Sequence, residues 1–166
     1  MFEIPKIRSY DYVNRPYEAV RDALRADAAG LFARATSAAK SRSHALTSLH
    51  VKVGGLDIAA EAIVAIAEIP EVEAGMHGMK TRFALDWRAA HATGWFPVME
   101  GELSIYPLSK DETQLDFEGQ YQPPLGVLGG AIDLVIGRRI AEASVRTFIE
   151  SVATRLRLEA PGNARA

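Results

Sequence analysis

The last third of the chain joins an alternating pattern to a long helical one. Apolar and polar residues alternate through TQLDFEGQYQ (113–122), which is typical of a β-strand with one buried face. A Pro-Pro-Leu-Gly turn follows, and apolar residues then recur at helical spacing over residues 128–156. A strand that passes directly into one long helix predicts a sheet wrapped around that helix.

Two further half-buried strands precede this one. The apolar faces of the three strands carry Phe83, Leu85, Trp87 and Ala89; Met99, Gly101, Leu103 and Ile105; and Leu115, Phe117, Gly119 and Tyr121. Consecutive strands of this kind predict an antiparallel meander with one buried face. The inward glycines of the second and third strands are typical of a strongly bent sheet, where a side chain would not fit.

The first half of the chain predicts three more strands and two short helices. Residues 7–13 predict the first strand, after which come one short helix and a second that Asp27 caps. Beyond Ser43 the period changes to two, with apolar residues at 49, 51 and 53 opposed to polar residues at 48, 50 and 52, and a second strand is predicted there. A third is predicted at 56–69, after a Gly54-Gly55 turn. The alanines of LDIAAEAIVAIAEI (56–69) also suit a helix, but the β-branched Ile63, Val64 and Ile66 favour a strand. The predicted fold class is α+β: a curved antiparallel sheet around a long C-terminal helix, with two short helices after the first strand.

The two halves of the long helix differ in their apolar faces. The second half presents one stripe: Ala141, Val145, Phe148, Ile149, Val152 and Leu156. In the first half, Leu128, Ile132, Val135, Ile136 and Ile140 fall on the side that the second half gives to charged residues. The pattern therefore predicts that the second half packs on the sheet. For the first half it leaves two interpretations: the helix starts irregularly, or this half has two apolar contacts.

Composition narrows the range of functions. A length of 166 residues predicts a single domain, over residues 1–158, with a flexible tail at 159–166. A net charge of −2 gives no long-range attraction to nucleic acid, and the absence of cysteine excludes disulfides and thiol catalysis. The start MFEIPKIRSYDYV does not resemble a secretory signal, and no apolar run approaches the ~20 residues of a transmembrane helix. We therefore expect a cytoplasmic protein.

Motifs for catalysis or metal binding are not found. The sequence contains no GxSxG elbow, P-loop or dinucleotide fingerprint, and its four histidines lack the spacing of metal ligands. His91 continues the apolar face of its strand and has the chemistry of a general acid or base, although a histidine at a strand end is more often a surface residue. We predict no catalytic residue, no metal and no cofactor.

The order of elements, together with three segments, resembles the helix-grip fold of the START-like (SRPBCC) superfamily. The segments are RPYEAV (15–20), GWFPVMEGELSIYPL (94–108) and GQYQPPLGVLGG continuing into GRRIAEASVRTFIESVATRL (119–156). That superfamily contains lipid-transfer domains, pollen allergens, polyketide cyclases and aromatases, and coenzyme Q-binding proteins. This chain resembles small uncharacterised bacterial members as well as polyketide cyclase and lipid-transfer relatives. The resemblance implies an apolar cavity between the sheet and the long helix, and it implies no catalytic residue.

The resemblance and the patterns together predict that the protein binds or carries a small apolar molecule: a lipid, isoprenoid, quinone or polyketide-like compound. The expected ligand-binding residues are Phe83, Leu85, Trp87, Met99, Leu103, Phe117, Tyr121, Ile132 and Ile136. The same residues also suit a filled core. One alternative is a cyclase, aromatase or dehydratase in which His91, Tyr121 or Trp87 positions an enolate or hydroxyl. Another is a protein- or membrane-interaction module, or a homodimer, that uses Leu128, Ile132, Val135 and Ile136.

Overall fold

Six strands and two helices make up the part of the chain that the computed structural model describes, which is residues 6–35, 44–53, 56–69, 79–89, 98–122 and 131–162. In chain order they are β1 (Lys6–Val13), α1 (Tyr17–Ala35), β2 (His44–Val53), β3 (Leu56–Ile69), β4 (Thr81–Ala89), β5 (Val98–Ser109), β6 (Glu112–Gln122) and α2 (Ala131–Glu159). Neither helix is apolar enough along its described length to cross a membrane.

All six strands form one antiparallel sheet in the order β1-β6-β5-β4-β3-β2. The first strand therefore pairs with the last, and β2 forms the opposite edge. Helix α2 contacts both edge strands, β1 and β2, which requires the sheet to curve around it. The α+β class and the helix-grip arrangement predicted from the sequence are confirmed.

The register of the strands places the inward side chains in rows that run across the sheet. The tyrosine row consists of Tyr121, Met99, Trp87 and Val64. The glycine row consists of Gly119, Gly101, Leu85 and Ile66, and the phenylalanine row of Phe117, Leu103 and Phe83. Each row crosses three or four strands, so residues far apart in the sequence become direct neighbours.

Helix α1 consists of two short helices, as predicted. Asp27 has a non-helical backbone (φ −163°, ψ 64°) inside the span of α1. The backbone N–H of Gly30 donates to Asp27 Oδ1 over 3.0 Å, which is the hydrogen bond of an N-cap residue to the first turn that follows it. Asp27 thus ends the first short helix and begins the second.

The buried stripe predicted for the second half of α2 is also confirmed. Its members Ala141, Val145, Phe148, Ile149, Val152 and Leu156 are all 0% exposed. The helix runs to Glu159 and Ala160 is buried, so ordered structure extends past the predicted domain end at 158. Residues 163–166 of the predicted tail lie outside the described residues.

β2 begins at His44, directly after Ser43, where the period was predicted to change to two. β5 continues past Ile105, the last residue of its predicted apolar face, to Ser109, with a register shift between Pro107 and Ser109. Main-chain pairing with β6 continues there although the apolar alternation does not. The alanine-rich stretch of β3 is a strand, as predicted, and it pairs on both sides, with β2 and with β4.

Candidate functional site

The inner face of the sheet forms one wall of the candidate site. Seven of the nine predicted ligand-binding residues lie on this face, each at most 3% exposed: Phe83, Leu85, Trp87, Met99, Leu103, Phe117 and Tyr121. They occupy three adjacent strands, β4, β5 and β6. The structure therefore brings these seven together, and their contact with a ligand stays a prediction.

The remaining predicted residues are on, or next to, the first half of α2 (131–140). The backbones of Ile132 and Ile136 belong to this helix, but their side chains lie outside the described part of the structure, as do Leu128 and His91 altogether. Val135 is 56% exposed. A single exposed apolar side chain is ordinary on a protein surface, so the predicted docking patch has only this one described member.

Three aromatic rings fill the space between the middle of the sheet and α2. The ring of Phe148 lies 4.8 Å from that of Trp87 in β4 and 5.1 Å from that of Phe32 in α1, with interplanar angles of 60° and 82°. Both are edge-to-face arrangements, the geometry that aromatic quadrupoles favour. This aromatic cluster (Trp87, Phe148, Phe32) ties the sheet to both helices.

The gap left by the two inward glycines is filled by a phenylalanine. A Cβ atom on Gly101 would lie 2.5 Å from Cζ of Phe117, and one on Gly119 would lie 2.9 Å from the same atom. The ring of Phe117 therefore leans from its own row over the glycine row. The sheet interior is consequently packed with protein atoms at this level.

Tyr121 lies at the end of the sheet where α2 begins. Its side chain is buried, and burial raises the pKa of its hydroxyl; Glu142 raises this pKa further, while Arg138 lowers it. Arg138 and Glu142 form an ion pair one turn apart on α2, with Nε–Oε1 at 2.8 Å. Arg138 and Glu142 are therefore the residues of α2 whose charges act on the pKa of Tyr121.

Buried polar side chains are few among the described residues: Thr81, Ser104, Thr113 and Ser144, with no buried charge. Three have hydrogen-bond partners: Thr81 with Tyr17 (2.6 Å), Ser104 with Glu102 (3.0 Å) and Thr113 with the carbonyl of Arg15 (2.9 Å). The hydroxyl of Ser144 has none within this part of the chain. Ser144 was not among the site residues predicted from the sequence. Its position four residues before Phe148 places it on the apolar stripe of α2, and this spacing indicates a buried hydroxyl.

The outer face of the sheet carries two grooves open to solvent. One, of about 470 Å³, is lined by carboxylates of β5 and β6 together with Lys80; the other, of about 360 Å³, has an alanine floor of Ala65, Ala67 and Ala84. The carboxylates are partly neutralised, since Asp116 pairs with Arg8 and Glu102 with Arg82. This arrangement is that of a solvated polar face, as the alternation of the strands predicts.

Comparison with known proteins gives similarity in structure but not in sequence. No protein-family model matches the chain, and no curated protein sequence does so. A conserved protein from Geobacillus kaustophilus has a similar structure at a TM-score of 0.54 and 10% identity, covering 95% of this chain and 98% of that one. A protein from Thermus thermophilus and a START superfamily protein from Mycobacterium smegmatis each match at 0.50 and 15% identity, covering 92% of this chain and 97% of theirs.

The similarity extends over almost the whole length of all three proteins and of this chain. It shows that the chain has the START-like helix-grip fold, which agrees with the resemblance seen in the sequence. At 10–15% identity the similarity is one of fold alone. The function must therefore be argued from the residues of this chain.

Proposed function

We propose that the protein binds a small apolar molecule between the tyrosine row and the first half of α2. A fold in which a curved sheet closes around one long helix has an interior lined from both sides, and here the described interior is mostly apolar. The similar structures show the fold, and the resemblance seen in the sequence implies an apolar cavity between the sheet and the long helix. The proposal concerns binding or carriage, without chemistry on the ligand.

The observation that carries the proposal is the position of Tyr121. Phe117 covers the glycine row and the aromatic cluster packs Trp87 against α2, so the proposed place for a guest molecule is the Tyr121 end of the sheet. Tyr121 brings a hydroxyl into this otherwise apolar end, where it is 1% exposed. Pockets for small molecules commonly combine apolar walls with a few such polar groups.

Apolar contact alone is not sufficient for tight binding. Burying about ten methylene groups contributes about 8 kcal/mol, whereas association costs about 4–15 kcal/mol in lost freedom. A ligand of this size needs a preformed site and at least one polar anchor. The site has both features, because the sheet and α2 hold the walls in place and Tyr121 supplies a buried hydroxyl.

Native mass spectrometry of freshly purified protein is the direct test. We expect a bound molecule of a few hundred daltons that is lost on denaturation and can be recovered by solvent extraction. A protein that carries no small molecule, and that also fails to bind the apolar fluorophore N-phenyl-1-naphthylamine, would refute the proposal.

Two substitutions on α2 locate the site. Ala141→Leu adds volume to a fully buried position where the second half of the helix begins, and Val135→Leu adds volume to an exposed position in the first half. We expect Ala141→Leu to weaken N-phenyl-1-naphthylamine binding at least about fivefold and Val135→Leu to leave it unchanged, because only the first narrows the interior. Equal binding by both variants would place the fluorophore elsewhere.

The alternative functions have less support. The cyclase, aromatase or dehydratase hypothesis relied in part on His91, which lies outside the described residues. Docking to a protein, a membrane or a second copy relied on a patch of which only Val135 is described. We therefore propose neither.

A further inference from the structure

Ser144 differs from Ser151 and Thr154, two other hydroxyl-bearing residues of the second half of α2. Ser151 Oγ donates to the carbonyl of Thr147 over 2.7 Å, and Thr154 Oγ1 donates to the carbonyl of Glu150 over 2.9 Å. Both follow the usual pattern of a helical hydroxyl that bonds the carbonyl four residues earlier. Ser144 is 0% exposed and makes no such bond.

The surroundings of Ser144 are apolar. Its neighbours on the same face of the helix are Ala141, Val145 and Phe148, each 0% exposed. Phe148 belongs to the aromatic cluster, so Ser144 lies one helical turn from the rings that fill the middle of the sheet. A hydroxyl without a partner in such a place is unfavourable, because it has lost its hydrogen bonds to water and gained none.

The direction of the side chain connects Ser144 to the proposed site. In an α-helix each Cα–Cβ bond tilts towards the N-terminus of the helix. The Cβ atom of Ser144 is therefore directed towards the first half of α2. Tyr121 and Trp87 lie two strands apart in the tyrosine row, about 10 Å, with the buried Met99 between them.

We infer that the Ser144 hydroxyl is the hydrogen-bond partner of one oxygen atom of the bound molecule. This inference rests on the proposed function and narrows its ligand class to neutral apolar molecules with a carbonyl or hydroxyl oxygen. Neutrality follows from the interior itself: the described residues include no buried charge that would pair with a carboxylate or an ammonium group. A serine hydroxyl both donates and accepts hydrogen bonds, so it can donate to the oxygen of a ketone or a quinone and can also accept from an alcohol.

A matched pair of probes and a matched pair of variants test the inference. 1-Tetralone and tetralin are neutral bicyclic molecules that differ by one carbonyl oxygen. Ser144→Ala removes the hydroxyl that has no partner, and Ser151→Ala removes one that bonds its own helix. Dissociation constants from protein NMR titrations would be compared for the wild type and both variants.

We expect the wild type to bind 1-tetralone about 2- to 10-fold more tightly than tetralin, which is the worth of one hydrogen bond. Ser144→Ala should lose this preference while it keeps its affinity for tetralin, and Ser151→Ala should retain the preference. A preference that survives in Ser144→Ala would overturn the role of Ser144 and leave the proposed function standing. Failure of the wild type to bind either probe would overturn both.

Thermal unfolding without any probe gives an independent test. Removing a buried hydroxyl that has no partner should raise the midpoint of Ser144→Ala by about 2–4 °C. Ser151→Ala should not gain stability, because it loses a hydrogen bond. A lower midpoint for Ser144→Ala would show that its hydroxyl is already bonded within the protein, which contradicts the inference.

Discussion

Gly101 of β5 and Gly119 of β6 lie directly opposite one another on the inner face of the sheet, and the ring of Phe117 covers both. A Cβ atom on Gly101 would also lie 2.9 Å from the carbonyl oxygen of Glu118, and one on Gly119 would lie 2.9 Å from that of Glu100. The two strands thus approach each other more closely than any side chain would permit. This pair allows the sheet to bend around α2.

Gly101→Ala should therefore destabilise the protein by about 1–3 kcal/mol, the usual cost of overpacking a core. The new methyl group displaces the ring of Phe117 and presses on the backbone of β6. Urea unfolding followed by circular dichroism measures the change. Gly162→Ala is the control, because its methyl group would meet only Arg15 at an ordinary 3.8 Å. Equal stability of the two variants would contradict the close approach.

Arg15 holds the C-terminal end of α2. Its Nε donates to the carbonyl of Ala160 over 2.9 Å, and its Nη2 donates to the carbonyl of Arg157. The last carbonyls of a helix have no partner within it. A cation at that end also interacts favourably with the negative end of the helix dipole. Arg15→Met keeps the apolar stem and removes both hydrogen bonds, so it should lower the free energy of unfolding by about 1–3 kcal/mol.

The control for Arg15 is Arg8→Met, which removes an arginine whose ion pair with Asp116 is exposed on the outer face. Exposed ion pairs contribute little to stability, so we expect a much smaller shift of the urea midpoint. Equal shifts for the two variants would mean that the helix terminus gains nothing from Arg15.

Asp27→Ala should destabilise the protein by about 1 kcal/mol, because it removes the side chain that caps the second half of α1. Asp27→Ser should retain most of the stability, since serine supplies the same acceptor. Asp22→Ala is the comparison for loss of a carboxylate, because Asp22 pairs with the adjacent Arg21 at the surface. If alanine and serine at position 27 behaved alike in thermal unfolding, the cap would contribute nothing.

Burial raises the pKa of Tyr121 above its ordinary value near 10, so the folded protein keeps this proton to a higher pH than the unfolded chain does. The folded state then binds more protons, and the free energy of unfolding falls as the pH rises above about 10. The free energy of unfolding of Tyr121→Phe should fall less steeply with pH in that range. Its slope should differ from that of the wild type by at most about 1.4 kcal/mol per pH unit, the contribution of one proton.

The measurement is urea unfolding of the wild type and Tyr121→Phe at a series of pH values from about 9 to 11. Tyr10→Phe removes a tyrosine that is 72% exposed, and it should keep the wild-type slope. If Tyr121→Phe shows the wild-type slope as well, the hydroxyl of Tyr121 titrates in the same way in the folded and unfolded states, which contradicts the prediction.

Tertiary structure assigned roles that no local pattern shows. The sequence around Arg15 indicated the start of a helix. Its guanidinium instead donates a hydrogen bond to the carbonyl of Ala160 at the end of α2, 145 residues later. Ser144 looked like a small residue on an apolar stripe, and only its surroundings show that its hydroxyl lacks a partner among the described residues. Hydrogen bonds between distant segments depend on how those segments are brought together, and the sequence of either segment does not contain that information.

The sequence by itself determined which face of β4, β5 and β6 is buried, where α1 is divided and which stripe of α2 meets the sheet. These features follow from local rules: side chains alternate along a strand, recur every 3.6 residues along a helix, and cap a helix from a fixed position. Only the tertiary structure decided that β1 pairs with β6 and that Tyr121, Met99 and Trp87 form one row. Pairing and register depend on contacts between strands, so the candidate site exists only once the sheet has closed around α2.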